Sequence, residues 1–160
     1  MDAQAQSTLA NLVRSRASGA LGTLHEGAPL VSFVLYSIAL DGSELYVLVS
    51  GLAAHTQDMR VDGRVSLMIS SPEENFQDPQ SLPRLTIQGE AMEITRESES
   101  SARARDSYLK RHPQAAALFE LGDFALFVIR PRSLRFVAGF ARAFSLQPDS
   151  FQRALREDSP

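Results

Sequence analysis

The stretch from Leu45 to Val61 constrains the fold most, because it joins a strand pattern directly to a helix pattern. Its first half is a β-branched and aromatic run that ends at Ser50-Gly51, and a helical pattern begins near Ala53. A strand that passes through a small-residue turn into a helix leaves several backbone N–H groups unpaired. These groups lie at the positive end of the helix, where an anion is stabilised.

Three side chains in this turn can donate hydrogen bonds: Ser50, His55 and Thr56. Together with the backbone at Gly51 they would suit a phosphate. An alternative interpretation requires no ligand, because Ser50 and Thr56 can simply cap the helix while His55 is solvated. The residues of the turn leave both interpretations open.

Alternating or β-rich runs predict six or seven strands. They cover residues 20–24, 31–40, 45–49, 64–70, 84–94, 124–129 and 133–137. Asp41-Gly42 is a strong hairpin signal, so the first three strands are expected to form an antiparallel meander. Gly89 indicates a bulge or the close approach of another backbone. Residues 139–146 are predicted to form a loop.

Only a few helices accompany these strands. One is expected after Ser7 and before Gly19, and others at residues 53–61, 96–111, 113–120 and 151–156. Many strands with few helices predict a mainly β fold with peripheral helices, arranged as a small antiparallel barrel. The polar connection of residues 71–83 is a candidate to fold over a site.

Length and composition exclude several classes of function. The 160 residues are expected to form a single domain, residues 1–160, and the 44% hydrophobic content argues against disorder. A net charge of -3 gives no electrostatic reason to expect a nucleic-acid or membrane partner. There is no cysteine, and the three histidines lack metal-ligand spacing. Without an apolar signal core or a bilayer-spanning run, a cytoplasmic location is expected.

Six motifs occur in a fixed order along the chain. They are SGALGTL (18–24), PLVSFV (29–34), SGLAAHTQD (50–58), RVSLM (64–68), RLTIQG (84–89) and RFVAGFARA (135–143). Their order and spacing resemble the pyridoxamine 5'-phosphate oxidase-like FMN-binding split-barrel superfamily. The last motif is most similar to the HugZ-type haem-utilisation branch. The resemblance extends over roughly residues 9–146 and implies a split β-barrel.

This resemblance implies a homodimer with FMN at the interface between two barrels. The FMN phosphate would lie against Ser50, Gly51, His55 and Thr56, with Arg84 reaching in from its strand. The isoalloxazine ring would be lined, mainly by backbone groups, at Ser32, Phe33 and Val34. Arg142 would lie beside a planar cofactor across the dimer or form an interface salt bridge.

Two departures from the family pattern affect the expected cofactor. Oxidase members carry basic side chains on the second strand and Lys or Arg in the phosphate turn, where this chain has Ser32, Tyr36 and His55. Phosphate affinity would therefore depend on Arg84 and neutral donors. HugZ-type proteins use a histidine ligand in a C-terminal extension, whereas no histidine follows His112 in this sequence.

The functional expectation is an FMN-dependent oxidoreductase that acts on an unknown small molecule, with no catalytic side chain identified. The flavin would supply the redox chemistry, and the protein would orient it. The alternatives are a non-enzymatic flavin or haem carrier and a haem-utilisation protein that lacks the C-terminal ligand. The oxidase-type substrate, pyridoxamine phosphate, is not expected, because its recognition residues are missing.

Overall fold

A computed structural model describes residues 1–73 and 78–157. The strands are β1 (Ser18–His25), β2 (Ala28–Leu35), β3 (Ser37–Ile38), β4 (Leu45–Ser50), β5 (Arg64–Ser70), β6 (Arg84–Glu93), β7 (Phe124–Gly139) and β8 (Arg142–Leu146). The α-helices are α1 (Ala3–Ser15), α2 (Ala54–Val61), α3 (Glu99–Arg111) and α4 (Pro148–Glu157). Two 3₁₀ segments, Pro79–Ser81 and Pro113–Glu120, complete the described elements.

All eight described strands belong to one curled antiparallel sheet. Its order is β2-β1-β5-β6-β7-β4-β3, and β8 pairs with β7 beside that path. The concave side of the sheet holds the main core, which includes the fully buried side chains of Leu21, Leu67, Ile87 and Phe136. The mainly β split-barrel fold with peripheral helices is thus confirmed, with eight strands instead of six or seven.

The predicted meander is wrong in its central pairing. Residues 31–40 do not form one strand, because the chain leaves β2 at Tyr36, whose ring is buried and whose hydroxyl donates to the Val13 carbonyl. The Asp41-Gly42 hairpin is present between β3 and β4. However, β4 then pairs with β7 and not with β2, so β2 is an edge strand.

The two strands predicted at 124–129 and 133–137 are one continuous strand, β7. Pro131 is accommodated because the register shifts between Gln88 and Gly89, opposite it. A Cβ on Gly89 would lie 2.5 Å from the Arg130 carbonyl oxygen, which confirms the predicted close approach. The loop predicted at 139–146 is wrong: a tight turn, with Ala141 at φ 58°, returns the chain as β8.

Candidate functional site

The predicted phosphate turn lies where β4 runs into α2. The Ser50 hydroxyl accepts a hydrogen bond from the Leu52 amide at 3.2 Å, and the buried Thr56 hydroxyl donates to the Ser50 carbonyl at 2.6 Å. Gln57 closes the turn by donating to the Gly51 carbonyl at 2.6 Å. Ser50, Gly51 and Thr56 are therefore held together by hydrogen bonds in which both hydroxyls brace the turn, with His55 beside them in the sequence.

Two features of the same turn suit an anion. In the described part of the chain, the amides of Ala54 and His55 have no protein acceptor, as expected for the first turn of a helix. The His55 imidazole is half-buried, and burial lowers its pKa against the opposing charge of Asp58. At neutral pH the turn therefore offers backbone N–H groups and a largely neutral imidazole.

A buried carboxylate behind the turn was not identified from the sequence. Asp58 on α2 accepts a hydrogen bond from the Thr23 hydroxyl at 2.8 Å, and its other oxygen lies 2.8 Å from His25 Nδ1. His25 is half exposed, and its contact with Asp58 ties it to α2. Burial alone would raise the pKa of Asp58, because it disfavours the charged form. The hydrogen bonds from His25 and Thr23 outweigh this effect of burial, so the pKa of Asp58 is lowered. This network fixes α2 against β1.

The convex side of the sheet carries an exposed apolar surface. Phe33 on β2 lies opposite Ala20, and Ala20 lies opposite Met68. Phe33 and Val31 are 75% and 68% exposed, and Met68 is also exposed. The same row continues through Thr86 to Arg135 on β7. We call this row the exposed sheet face: Phe33, Ala20, Met68, Thr86 and Arg135.

Ser32 and Val34, the other predicted site residues of β2, lie on the core side of the sheet. Val34 is buried in the main core, and the half-buried Ser32 lies opposite Leu21 on the core side of the sheet. Because β2 pairs with β1 alone among the described strands, one edge of its backbone is open. Phe33 is therefore the one side chain of the predicted Ser32, Phe33 and Val34 set that extends outward.

An open pocket of about 760 Å³ adjoins the exposed sheet face. Three arginines line it: Arg84, Arg135 and Arg142. The lining also includes the carboxylate of Glu73 and the apolar side chains of Met68, Leu82, Val137 and Phe140. Arg135 was not identified as a site residue. In the sequence, Arg135 lies four residues before the GFAR segment (139–142). The two segments come together only because β8 folds back on β7, and the sequence did not predict this pairing.

Each arginine of this pocket is held by a neighbouring group. Arg84 donates to the carbonyls of Gln80 and Leu82 at 3.3 and 3.0 Å, so the 3₁₀ turn of the 71–83 connection fixes it. Residues 74–77 of that connection lie outside the described residues. Arg135 donates to the Ser145 hydroxyl at 2.9 Å.

Arg142 takes part in an ion pair with a residue of the same chain. Its Nη2 lies 2.5 Å from the carboxylate of Asp2, which also caps α1 by accepting from the Ala5 amide. This ion pair is half exposed, so its net contribution to stability is small. Arg142 can therefore exchange Asp2 for another carboxylate at little energetic cost.

The predicted site residues form two separate groups within one chain. Ser50 pairs with Phe124 at one end of β7, whereas Arg84 pairs with Val137 near the other end. The nine residue steps of β6 from Arg84 to Glu93 span on the order of 30 Å. An arginine side chain cannot bridge that distance, so Arg84 does not reach the β4–α2 turn of its own chain.

The histidines do not belong to the arginine pocket. His112 is 2% exposed, its Nε2 lies 2.8 Å from the Tyr36 carbonyl oxygen, and its ring packs on Tyr108. It is a structural core residue. Neither His25 nor His55 lines the pocket either. The described lining residues that offer metal donor atoms are Met68 with a thioether, Glu73 with a carboxylate, and Gln80 and Ser70 with neutral oxygens.

The curled antiparallel sheet, its edge strand β2 and the strand-turn-helix at β4–α2 define a split barrel of the pyridoxamine 5'-phosphate oxidase-like class. Within that class, the CREG beta-barrel family model matches residues 3–152. The chain therefore belongs to the CREG beta-barrel family, and the predicted superfamily is confirmed.

Several relatives of this chain are haem proteins. It is 35% identical over 122 residues to the chloroplastic non-canonical heme oxygenase HOZ of Arabidopsis thaliana, across 75% of this chain and 35% of that protein. It is 29% identical over 125 residues to the heme oxygenase HutZ of Vibrio cholerae, across 78% of this chain and 70% of HutZ.

A solved structure adds a third similarity of this kind. The heme binding protein of Mycobacterium smegmatis superposes with a TM-score of 0.83 at 29% identity. The match covers 93% of this chain and 60% of that one. This chain thus spans about a third of the plant relative and 60% of the mycobacterial structure. No helix in residues 1–73 and 78–157 combines the length and apolar character needed to cross a membrane.

Proposed function

We propose that this protein binds haem in the arginine pocket beside the exposed sheet face. The observation that carries the proposal is the convergence of Arg84, Arg135 and Arg142 on one open pocket with an apolar wall. Haem combines a large apolar macrocycle with two propionate carboxylates, and such a ligand requires this combination of surfaces. The haem relatives named above support the same choice.

The residues present fit most of the ligand. Guanidinium groups pair with carboxylates in a planar, often bidentate geometry, so the three arginines suit the propionates. Met68, Val137 and Phe140 provide apolar contacts for a macrocycle. A pocket of this volume is within the range of small-molecule sites. No histidine lines it, so iron contact from this chain would come from Met68 or Glu73. When bound, haem would supply the redox or storage chemistry.

A homodimer is part of the same proposal. Exposed aromatic and aliphatic side chains on the edge strand β2, together with Met68 on β5, mark an association surface. A second copy of the chain on the exposed sheet face would cover Phe33 and Val31 and close the open side of the pocket.

FMN is the second candidate cofactor, and the β4–α2 turn favours it. Among the described residues, the amides of Ala54 and His55 have no protein acceptor, and with the Ser50 hydroxyl proton they could hold a phosphate, while the Thr56 hydroxyl stays bonded to the Ser50 carbonyl. In that case the protein is an FMN-dependent oxidoreductase with a small-molecule substrate, or a flavin carrier. The absence of a basic side chain in the turn makes this binding weaker than in oxidases that have one.

A spectroscopic titration separates these candidates. Haemin or FMN is added to the purified protein, excess ligand is removed by dialysis, and the absorbance spectrum is recorded. Haem binding predicts a shifted Soret band that remains with the protein. Replacing Arg84 and Arg142 by Gln should weaken haem binding at least about tenfold, because two charge-assisted hydrogen bonds are lost.

The control variant is Arg103→Gln, which removes an exposed arginine on α3 outside the pocket. We expect it to bind haem as the wild type does. Retained flavin bands without a Soret band would favour the FMN candidate instead. Equal haem affinity in the wild type, the double variant and the control would contradict the proposed pocket.

A further inference from the structure

A second cavity lies between α3 and β3, the strand at the other end of the sheet order from β2. It has a volume of about 330 Å³ and is lined by Ser37, Ile38, Leu40, Ser107, Lys110 and Arg111. It shares no residue with the arginine pocket or the β4–α2 turn. Its polar wall consists of two hydroxyls and two cations, and its other wall is apolar.

The hydroxyls of this cavity lack good hydrogen-bond partners. Ser37 is 1% exposed, and among the described residues its hydroxyl has one hydrogen-bond contact, to the Ser107 hydroxyl at 3.4 Å. Ser107 adds a 3.3 Å contact to the Ile38 carbonyl. Hydroxyl hydrogen bonds are normally about 2.7–2.8 Å long, and a buried polar group without a proper partner is costly. An acceptor in the cavity would satisfy Ser37.

The charge around the cavity is positive. Lys110 is the single lysine of the sequence, and in the described part of the chain its ammonium has no ion pair or hydrogen bond. Arg111 is anchored through Nη2 to the carbonyls of Val13, Arg14 and Arg16, with its guanidinium over the Tyr36 ring. This anchoring holds one cation rigidly at the cavity wall.

Nearby carboxylates are occupied elsewhere. Asp41 accepts from the Ser43 amide and hydroxyl, and Glu44 accepts from Tyr46 and Arg130. Asp106 precedes Lys110 by one helical turn but does not line the cavity. None of the described lining residues is acidic, so the polar wall presents donors and cations alone.

We propose that this cavity binds an anion of carboxylate or phosphate type that carries a short apolar chain. The anionic head lies against the Ser37 and Ser107 hydroxyls and the Lys110 and Arg111 cations, and the chain lies along Ile38 and Leu40. Leu40, which is almost fully exposed in the free protein, becomes covered. The cavity shares no lining residue with the proposed haem pocket, so binding at one does not require the other.

The single lysine provides a direct probe. Reductive methylation with ¹³C-formaldehyde labels Lys110 and the α-amino group and keeps both positively charged. The protein is then titrated with hexanoate, hexyl phosphate and hexylammonium, and the two methyl signals are followed by NMR. We expect hexanoate or hexyl phosphate to shift the Lys110 signal saturably, while the α-amino signal stays constant. The tighter of the two anions identifies the head group.

Two variants test the assignment. Ser37→Ala removes a poorly bonded hydroxyl, so it should fold normally and weaken anion binding at least about fivefold. Lys110→Gln, followed by calorimetry, should weaken binding to a similar degree, whereas Arg103→Gln on the same helix should not. Equal, non-saturating shifts with hexanoate and hexylammonium would overturn the proposal. Unchanged affinity in both Ser37→Ala and Lys110→Gln would do the same.

Discussion

The imidazole Nδ1 of His25 lies 2.8 Å from Oδ1 of Asp58, and this contact ties the end of β1 to helix α2. The other Asp58 oxygen accepts from Thr23 on the same strand. Because α2 carries His55 and Thr56, the position of the candidate phosphate turn depends on a carboxylate held by the β1 strand. Protonation of His25 strengthens its contact with Asp58, and it therefore affects how firmly α2, which forms part of the turn, is held against β1.

The first prediction concerns the pH dependence of stability. The hydrogen bond and charge of Asp58 raise the pKa of His25 above its ordinary 6.5. A raised folded pKa means that the stabilisation is complete below about pH 6.5 and is lost as pH rises through the folded pKa. We expect the melting temperature of the wild type to fall over that range more steeply than that of His25→Gln.

Asp58→Asn is the companion variant for this measurement. It keeps the Thr23 hydrogen bond but removes the charge that raises the His25 pKa, so its pH profile should resemble that of His25→Gln. Parallel melting curves for the wild type and both variants across this pH range would contradict the role of the pair.

The second prediction concerns the Gly89 bulge. A Cβ at Gly89 would lie 2.5 Å from the Arg130 carbonyl oxygen, whereas a Cβ at Gly122 meets no atom within 4 Å. Gly89→Ala should therefore destabilise the fold by about 1–3 kcal/mol or more through overpacking. Gly122→Ala should stay within about 0.5 kcal/mol of the wild type. Urea unfolding measures both, and equal midpoints would refute the crowding.

The third prediction concerns the exposed sheet face. Phe33→Asp places a charge in the centre of the proposed homodimer contact, so sedimentation should show a shift toward monomer. The fold should be unaffected, because Phe33 is largely exposed within the protomer. Val61→Asp, at an 88% exposed apolar position on α2, should leave the oligomeric state unchanged. Identical sedimentation of both variants would argue against this face.

The fourth prediction concerns the tyrosines. Burial raises the pKa of Tyr36 to about 12 against the opposing charges of Arg111 and Arg16. Burial likewise raises the pKa of Tyr108 to about 12. Both phenols stay neutral until well above the ordinary pKa, so stability falls as pH rises past about 10. Near-ultraviolet absorbance should show phenolate at higher pH in the native protein than in urea, and coincident curves would contradict this.

The sequence was a good guide where local pattern decides structure. The strand-turn-helix at Ser50, the Asp41-Gly42 hairpin and the crowding at Gly89 were all predicted, because turn chemistry and side-chain alternation act over a few residues. The motif order was sufficient for the superfamily, since the same elements recur in the same succession. The binding roles of the site residues, including Arg84 and Arg142, remain predictions.

The predictions that were wrong involve pairing between distant segments. The alternation of apolar and polar residues over 31–40 does not reveal that the strand breaks at Tyr36, whose ring is buried. It also does not reveal that β4 pairs with β7. The run around Pro131 contains a strand breaker, yet Gly89 on the neighbouring strand accommodates it. Likewise the GFAR segment becomes β8 only because β7 offers it an open edge.

Sequence alone determined most of the strand and helix segments of this protein, though not β8, and it determined which turn is suited to an anion, because those properties depend on neighbouring residues. The tertiary structure decided which side chains meet. It brought Arg135 to Arg84 and Arg142, placed Thr23 and His25 around Asp58, and left Ser37 beside Lys110. These groups are far apart in sequence, and their contacts follow from strand register and helix packing, which the whole hydrophobic core selects together.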